Sequence, residues 1–430
     1  YNIRRGFWET SDLMYRFSLQ VMARKIAHLK SNPLPPAEAA VPDMQQLPAV
    51  TKMVERPRPF EVDLAALEGM VKELSVLFKD YKELFNSNVM LVAVEQDNYR
   101  LTSENVRLKF PLGLVGLTVS ASVRTTDGST VSDVLAISSL DNPADLPSIE
   151  ELKKKVKDFA DNLMELKETP MIEEYYTGPV LFEGGAASRL FTDNLLSPGR
   201  LLALRTMAPA RGMLDEQLGR RIIDSRLTVK NYTTLAEYNG TPLFGCYEID
   251  GDGVVPAAEL TLVENGVFKR MLNGRVPTLK APESTGSARF MISPDNPMAI
   301  VSPGTIHVQA SKGVGPEKLK KALLKAAKEA DLEYAYIVRR IGGEASAVYK
   351  VNVKDGKETR VRVNNLSAPE LTKLMDLKGI SSDERVMNYF PNGVPASLIY
   401  PSAIIVGDVE INRTTPKIEE EPVLKHPLQR

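Results

Sequence analysis

The residues best suited to chemistry are scarce in this chain. Its 430 residues include three histidines, His28, His307 and His426, and one cysteine, Cys246. Zinc prefers imidazole and thiolate. A zincin helix needs His-Glu-x-x-His, which puts two imidazoles on one helix face with Glu as general base. No two histidines here are neighbours. His28 closes a charged segment, His307 sits in an alternating, strand-like pattern, and His426 lies in the tail. A single cysteine excludes an intrachain disulfide framework and a multi-cysteine zinc module. Cys246 has apolar neighbours in Phe244-Gly-Cys-Tyr247 and is expected to be a buried, inert thiol. There is no Gly-x-Ser-x-Gly elbow, Ser-x-x-Lys pair, Walker A loop or dinucleotide fingerprint, and no acidic spacing diagnostic of a hard cation.

Three other groups of residues could bind something. Glu183, Gly184 and Gly185 stand between an apolar strand pattern and a helix pattern, so backbone amides there could meet an anion. Asp250 and Asp252 alternate with glycines. Ser284, Thr285 and Gly286, followed by Arg289, make a run of small and hydroxyl residues between Pro282 and Pro297. Such a loop can offer amides and a guanidinium to a peptide backbone or carboxylate. Six arginines at 200, 205, 211, 220, 221 and 226 read first as a solvated helix face paired with Asp215, Glu216 and Asp224.

Elements must position these groups. Residues 10–30 read as a helix capped by Thr10 or Ser11, with Met14, Phe17 and Val21 on one face. Seven prolines at 33, 35, 36, 42, 48, 57 and 59 mark an extended connector over 31–60. Leu64, Leu67, Val71, Leu74, Phe78, Tyr81 and Phe85 form one helical stripe, expected to pack on a sheet rather than in a coiled coil. Strands are expected at 89–94, 99–103 and 117–124, with turns at Asp97-Asn98 and Asp127-Gly128. Ser148 and Glu151 make a capping box for a helix over 148–167. Beyond it lie a strand, glycine turn and helix at 180–187 and a hairpin around Glu264-Asn265-Gly266. A helix follows at 316–330 and strands at 334–341, 347–353 and 359–363. The tail from Thr415 reads as irregular. The fold class is therefore α+β: an N-terminal helix-on-sheet part, 1–168, then a larger β-rich domain, 169–430.

The net charge is -1, which argues against broad electrostatic binding of nucleic acid or an anionic membrane. No apolar run is long enough to span a bilayer. The chain does not start with Met, so an N-terminal segment is expected to be missing, and the sequence does not fix a compartment.

Read in order, several segments resemble the TldD/PmbA family of peptide-processing metallopeptidases, also called modulators of DNA gyrase. Tyr176-Thr-Gly-Pro-Val-Leu-Phe-Glu-Gly-Gly-Ala-Ala is similar to the opening of the family's C-terminal domain. Tyr247-Glu-Ile-Asp-Gly-Asp-Gly and Leu262-Val-Glu-Asn-Gly-Val-Phe-Lys resemble its Asp-x-Glu-Gly and Glu-Asn-Gly regions. Ser284-Thr-Gly-Ser-Ala-Arg289 resembles its Thr-Gly-Asn-Gly-Arg loop, and Tyr400-Pro-Ser-Ala-Ile-Ile-Val its closing strand. Phe7-Trp-Glu-Thr-Ser-Asp and Arg24-Lys25 match a longer subgroup.

The resemblance implies a homodimer or a heterodimer with another family member, enclosing a peptide cleft. Active members hold zinc with His-Glu-x-x-x-His and a late cysteine. Here residues 201–225 contain no histidine and no cysteine follows Cys246, so none of those ligands can be carried over. Without a metal to polarise a carbonyl or acidify water, zinc hydrolysis has no chemistry to run on. The expectation is a family member without cofactor that binds a peptide or a partner subunit through Glu183, Gly184, Gly185, Asp250, Asp252, Ser284, Thr285, Gly286 and Arg289. The alternatives are a hydrolase built from Glu183, Asp250 or Asp252 with the Ser284 loop, and an assembly protein unrelated to peptides.

Overall fold

The computed structural model describes residues 2–56, 58–140, 142–206, 213–293, 298–342, 345–363 and 366–412. Arg211, Pro297, His426 and the tail from Thr415 lie outside these.

The N-terminal part contains α1 (Ile3–Ser31), α2 (Pro36–Ala39), β1 (Thr51–Met53), α3 (Leu64–Val76), β2 (Leu84–Leu101), β3 (Arg107–Arg124), β4 (Thr130–Leu140) and α4 (Ile149–Glu168). Helix α1 starts earlier than expected. Asn2, not Thr10 or Ser11, accepts from the Arg5 amide, and Ser11 bonds back to the Phe7 carbonyl inside the helix. It buries none of its residues, and Met14, Phe17 and Val21 are exposed. The proline connector holds two short elements, α2 with Pro36 at its first turn and β1 parallel to the start of β3.

β3 is the spine of this part. It pairs with β2 along its whole length on one side, and with β1 and then β4 on the other. β2 is one continuous strand, so Asp97-Asn98 is not a turn. Those residues sit opposite Pro111 and Phe110, and cross-strand pairing overrides their turn preference. The chain reverses instead at Asn105, at φ 62°. The Asp127-Gly128 turn joins β3 to β4 as expected. α3 and α4 lie on one face of the sheet, burying Leu74, Phe78, Leu152, Val156, Phe159 and Leu163 with Val89, Leu117 and Val119. Phe85, assigned to the helical stripe by its spacing, is already in β2 and exposed, because the helix ends in a 3₁₀ turn at Leu77–Asp80. The capping box of α4 is formed in both directions.

The C-terminal part contains β5 (Tyr176–Glu183), α5 (Gly185–Leu195), β6 (Leu227–Tyr232), β7 (Glu237–Tyr238), β8 (Thr241–Pro242), β9 (Glu259–Glu264), β10 (Val267–Phe268), β11 (Ala288–Phe290), β12 (Ala299–Val301) and β13 (Thr305–Ala310). After these come α6 (Pro316–Glu329), β14 (Tyr334–Arg340), β15 (Ala347–Asn352), β16 (Glu358–Val361), β17 (Gly379–Ile380), β18 (Glu384–Tyr389), β19 (Ala396–Pro401) and β20 (Ala403–Ile411). Two six-stranded sheets dominate, ordered β10-β9-β6-β13-β19-β18 and β16-β15-β14-β5-β20-β17.

Alternation along β5 explains their packing. Val180 and Phe182 face a core shared with α5 and with Leu227, Ile306 and Leu398 of the other sheet. Leu181 faces the opposite way, against Leu319 and Leu323 of α6. A strand buried on both faces reads as a continuous apolar run, as β5 does. At its end the chain must turn at once into α5. Gly184 takes φ 55° there, a conformation costly for other residues.

The arginine-rich stretch 200–226 is not a helix face. Its one helical turn among the described residues is a 3₁₀ turn at Asp215–Gln217. Arg226 pairs with Asp224 as expected, but Arg221 pairs with Asp376, and Arg205 donates to the Val41 and Pro42 carbonyls.

Arginines from the second half fasten it to the first. Arg360 pairs with Glu165 of α4 and Arg340 with Asp133 of β4. Arg362, at 2% exposure, donates to the Thr169 carbonyl, to Ser129 and to Asp127 in the β3–β4 turn. Burial raises the Asp127 carboxyl, but the hydroxyls of Thr125 and Ser129, the Ser129 amide and Arg362 win and hold it at about 2. Removing one partner of such a pair leaves the other uncompensated. Arg362→Met should therefore cost about 3 kcal/mol in urea unfolding. A loss within the error of the measurement would show that the staple contributes nothing.

Candidate functional site

The structure divides the sequence-derived site residues into two groups. Glu183, Gly184 and Gly185 stand where β5 passes into α5, in a cleft of about 270 Å³ shared with Pro316, Arg339, Asp383, Arg385 and Ser402. Glu183 accepts from Arg339 Nε at 3.0 Å, and Arg339 also donates to Glu358 at 2.8 Å. The Gly184 amide is spent on the Ser402 carbonyl.

The second group brings Asp250 and Asp252 together with Ser284–Arg289. Asp250 is 1% exposed. Its Oδ1 accepts from the Asp252 and Val254 amides at 2.9 and 2.8 Å, and its Oδ2 accepts from the Ala288 amide at 3.0 Å. Burial outweighs those amides and pushes its carboxyl up to about 6. Asp252 pairs with Arg100 at 3.1 Å and accepts from the Arg275 amide.

The Ser284 loop is occupied by its own fold. The Ser284 amide donates to Gln45 of the proline connector, the Thr285 and Ser287 amides donate to the Asn273 carbonyl, and the Gly286 amide donates to Ser284 Oγ. Thr285 Oγ1 accepts from the Asn273 amide at 2.7 Å. These contacts make Ser284 and Thr285 loop-shaping residues. Neither has a base beside it, so the arrangement offers no activated nucleophile.

Arg289 is different. It is 7% exposed, its Nη1 donates to the Pro303 and Pro395 carbonyls at 2.8 and 2.6 Å, and its guanidinium lies 4.3 Å from the Tyr247 ring centroid. Burial pushes the Tyr247 hydroxyl up to about 12, and that hydroxyl donates to the Gly286 carbonyl at 2.8 Å. Sequence reasoning missed Gln45, Arg100, Asn273, Arg275, Tyr247 and Tyr389 as parts of this site. They come from five separate stretches of chain, and no local pattern links them.

Cys246 corrects the sequence expectation of a buried thiol. It is exposed, because the loop turns it outward between buried Gly245 and half-buried Tyr247. Partial desolvation still raises its pKa, with Arg289 pulling the other way. His307 is hydrogen-bonded, as expected of an isolated histidine in a strand. Its Nε2 lies 3.0 Å from Glu384 Oε1, Tyr238 donates to the other carboxylate oxygen, and Gln309 is 3.3 Å from Nδ1. Those bonds hold Glu384 below the usual carboxylate range although burial works against them.

With this geometry in hand, known proteins place the chain. The family model described as the PmbA/TldA metallopeptidase C-terminal domain matches residues 176–413, more than half of the sequence. The chain belongs to this family. Among solved structures it is similar to TldE from Thermococcus kodakarensis, with a TM-score of 0.55 and 16% identity over 86% of this chain and 80% of that one. It is also similar to a protein described as a modulator of a DNA gyrase from Thermotoga maritima, with a TM-score of 0.53 and 15% identity over 87% and 81%. At these identities the likeness is one of fold. No curated protein matches the chain.

Among the described residues, the histidines and the cysteine are not arranged to hold the zinc that the resemblance implies for active members. His28 is exposed on α1, His307 is tied to Glu384 and Gln309, and Cys246 faces solvent on another loop. Among the described residues no three of His, Cys, Asp or Glu are grouped to hold a metal ion, and no helix is long and apolar enough to cross a membrane.

Asp250 yields a pH prediction. Its folded pKa, about 6, lies above the ordinary 3.8, so the folded state binds this proton more tightly than the unfolded chain. The contribution is full below about pH 4 and lost as pH rises through 6. The stability of the wild type, measured against Asp250→Asn, should fall by roughly 3 kcal/mol between pH 4 and 7. A pH-independent difference in urea unfolding would contradict that environment for Asp250.

Proposed function

We propose that this protein is a PmbA/TldD relative that binds a peptide or protein segment, or a partner subunit of the same family, in proteolysis or peptide maturation, and does not itself hydrolyse peptides by zinc. One observation carries the reading: the fold is kept while, among the described residues, the groups that zinc chemistry requires are not in reach of one another. A hydrolase assembled from Glu183, Asp250 or Asp252 finds no support, since each carboxylate is committed to an arginine or to backbone amides. Proteolysis comes from the family's description, and binding from the loops that Asp250 gathers with the buried Arg289.

The test is titration of a fluorescent unfolded peptide into chain stripped of metal with a chelator. Saturable binding that is unchanged when zinc is restored is the expected result. Binding that appears only with one zinc per chain would refute the reading.

A further inference from the structure

Arg289 is buried without a counter-charge. Among the described residues no carboxylate pairs with it, and its Nε and Nη2 make no hydrogen bond. An unpaired guanidinium in a protein interior is expensive. Two backbone carbonyls on Nη1 and the Tyr247 ring offset part of that cost.

The polar deficit extends beyond the arginine. Ser302 Oγ and Thr305 Oγ1, on either side of the Pro303 that accepts from Arg289, are buried without partners. So is the hydroxyl of Tyr389, whose strand lies beside Pro395. Buried polar atoms are almost always satisfied, so three unmet hydroxyls on the segments that hold Arg289 describe a place suited to a polar guest. Nε and Nη2 form the edge that grips two oxygens of a carboxylate in parallel. Cys246 is exposed, and its thiol is close enough to feel the Arg289 charge. Asp250 holds the neighbouring residue, Ala288, and so fixes where the arginine starts.

We propose that Arg289 is the receptor for a carboxylate of the bound peptide, with Tyr389 Oη as an additional donor. The proposal rests on the peptide-binding reading above and deepens it. The carboxylate is either the free C-terminus of a peptide or an internal Asp or Glu side chain.

Cys246 supplies the readout, since it is the one thiol in the chain. A carboxylate seated on Arg289 would cancel the charge that favours the thiolate and so slow alkylation by neutral iodoacetamide. The full chain is titrated with three N-acetylated tripeptides: one with a free C-terminus, one with the same sequence as its C-terminal amide, and one amide carrying an internal Glu. Binding of each is followed in parallel by displacement of a fluorescent peptide. The acid, or the Glu-bearing amide, should slow alkylation saturably and bind about tenfold or more tighter than the plain amide, and the pair identifies which carboxylate is taken. Tyr389→Phe, which keeps the arginine, should narrow that preference. Arg289→Gln should abolish it where the variant folds. Equal binding of all three peptides with unchanged alkylation would overturn the proposal and leave peptide binding standing. Binding of none would overturn both.

Discussion

One buried carboxylate organises the candidate site. Asp250 collects amides from its own loop and from Ala288, and in doing so ties the glycine-rich turn to the strand that carries Arg289. Taking an aspartate out of water is costly, and donors from more than one segment offset that cost. The pairing of Asp252 with Arg100 and the bond from Ser284 to Gln45 then fasten the same loops to β2 and to the proline connector. The site is thus a joint between the two halves of the chain, and its shape depends on both. Gly253 shows how close that joint is: a Cβ there would lie 2.7 Å from Val50.

Beneath the joint lies ordinary hydrophobic packing. Two six-stranded sheets share one core, and the strand between α5 and α6, β5, is buried on both faces. Arginines 340, 360 and 362 reach from the second half into α4 and the β3–β4 hairpin. The charged groups available for chemistry are largely consumed by this architecture. Glu183, Asp252 and Glu384 are each paired, and the fold employs them to hold strands and loops in register.

Much of this was legible in the sequence where the signal is local. The capping box of α4, the glycine turn after β5, the Asn265-Gly266 hairpin and the amphipathic run of α6 each depend on neighbours a few residues apart, and each stands where its pattern places it. Errors came where distant partners decide. Asp97-Asn98 reads as a turn alone, but β3 holds it in a strand. The arginines of 200–226 look like a helix face, but they answer to Val41, Pro42 and Asp376, far away in sequence. Cys246 looks buried by its neighbours, yet faces solvent. Of the site, the sequence picked out Asp250, Asp252 and the Ser284–Arg289 loop, which do meet. It also grouped Glu183–Gly185 with them, and those occupy a separate cleft. That Arg289 is buried and unpaired depends on carbonyls at 303 and 395, which no spacing rule could connect.

The central claim is that the family fold here serves binding without metal hydrolysis. The most direct measurement is mass spectrometry of unfolded protein incubated with the purified full chain in zinc-supplemented buffer. The account predicts no cleavage products above the enzyme-free blank. Products that accumulate with time and vanish when a chelator is added would contradict it.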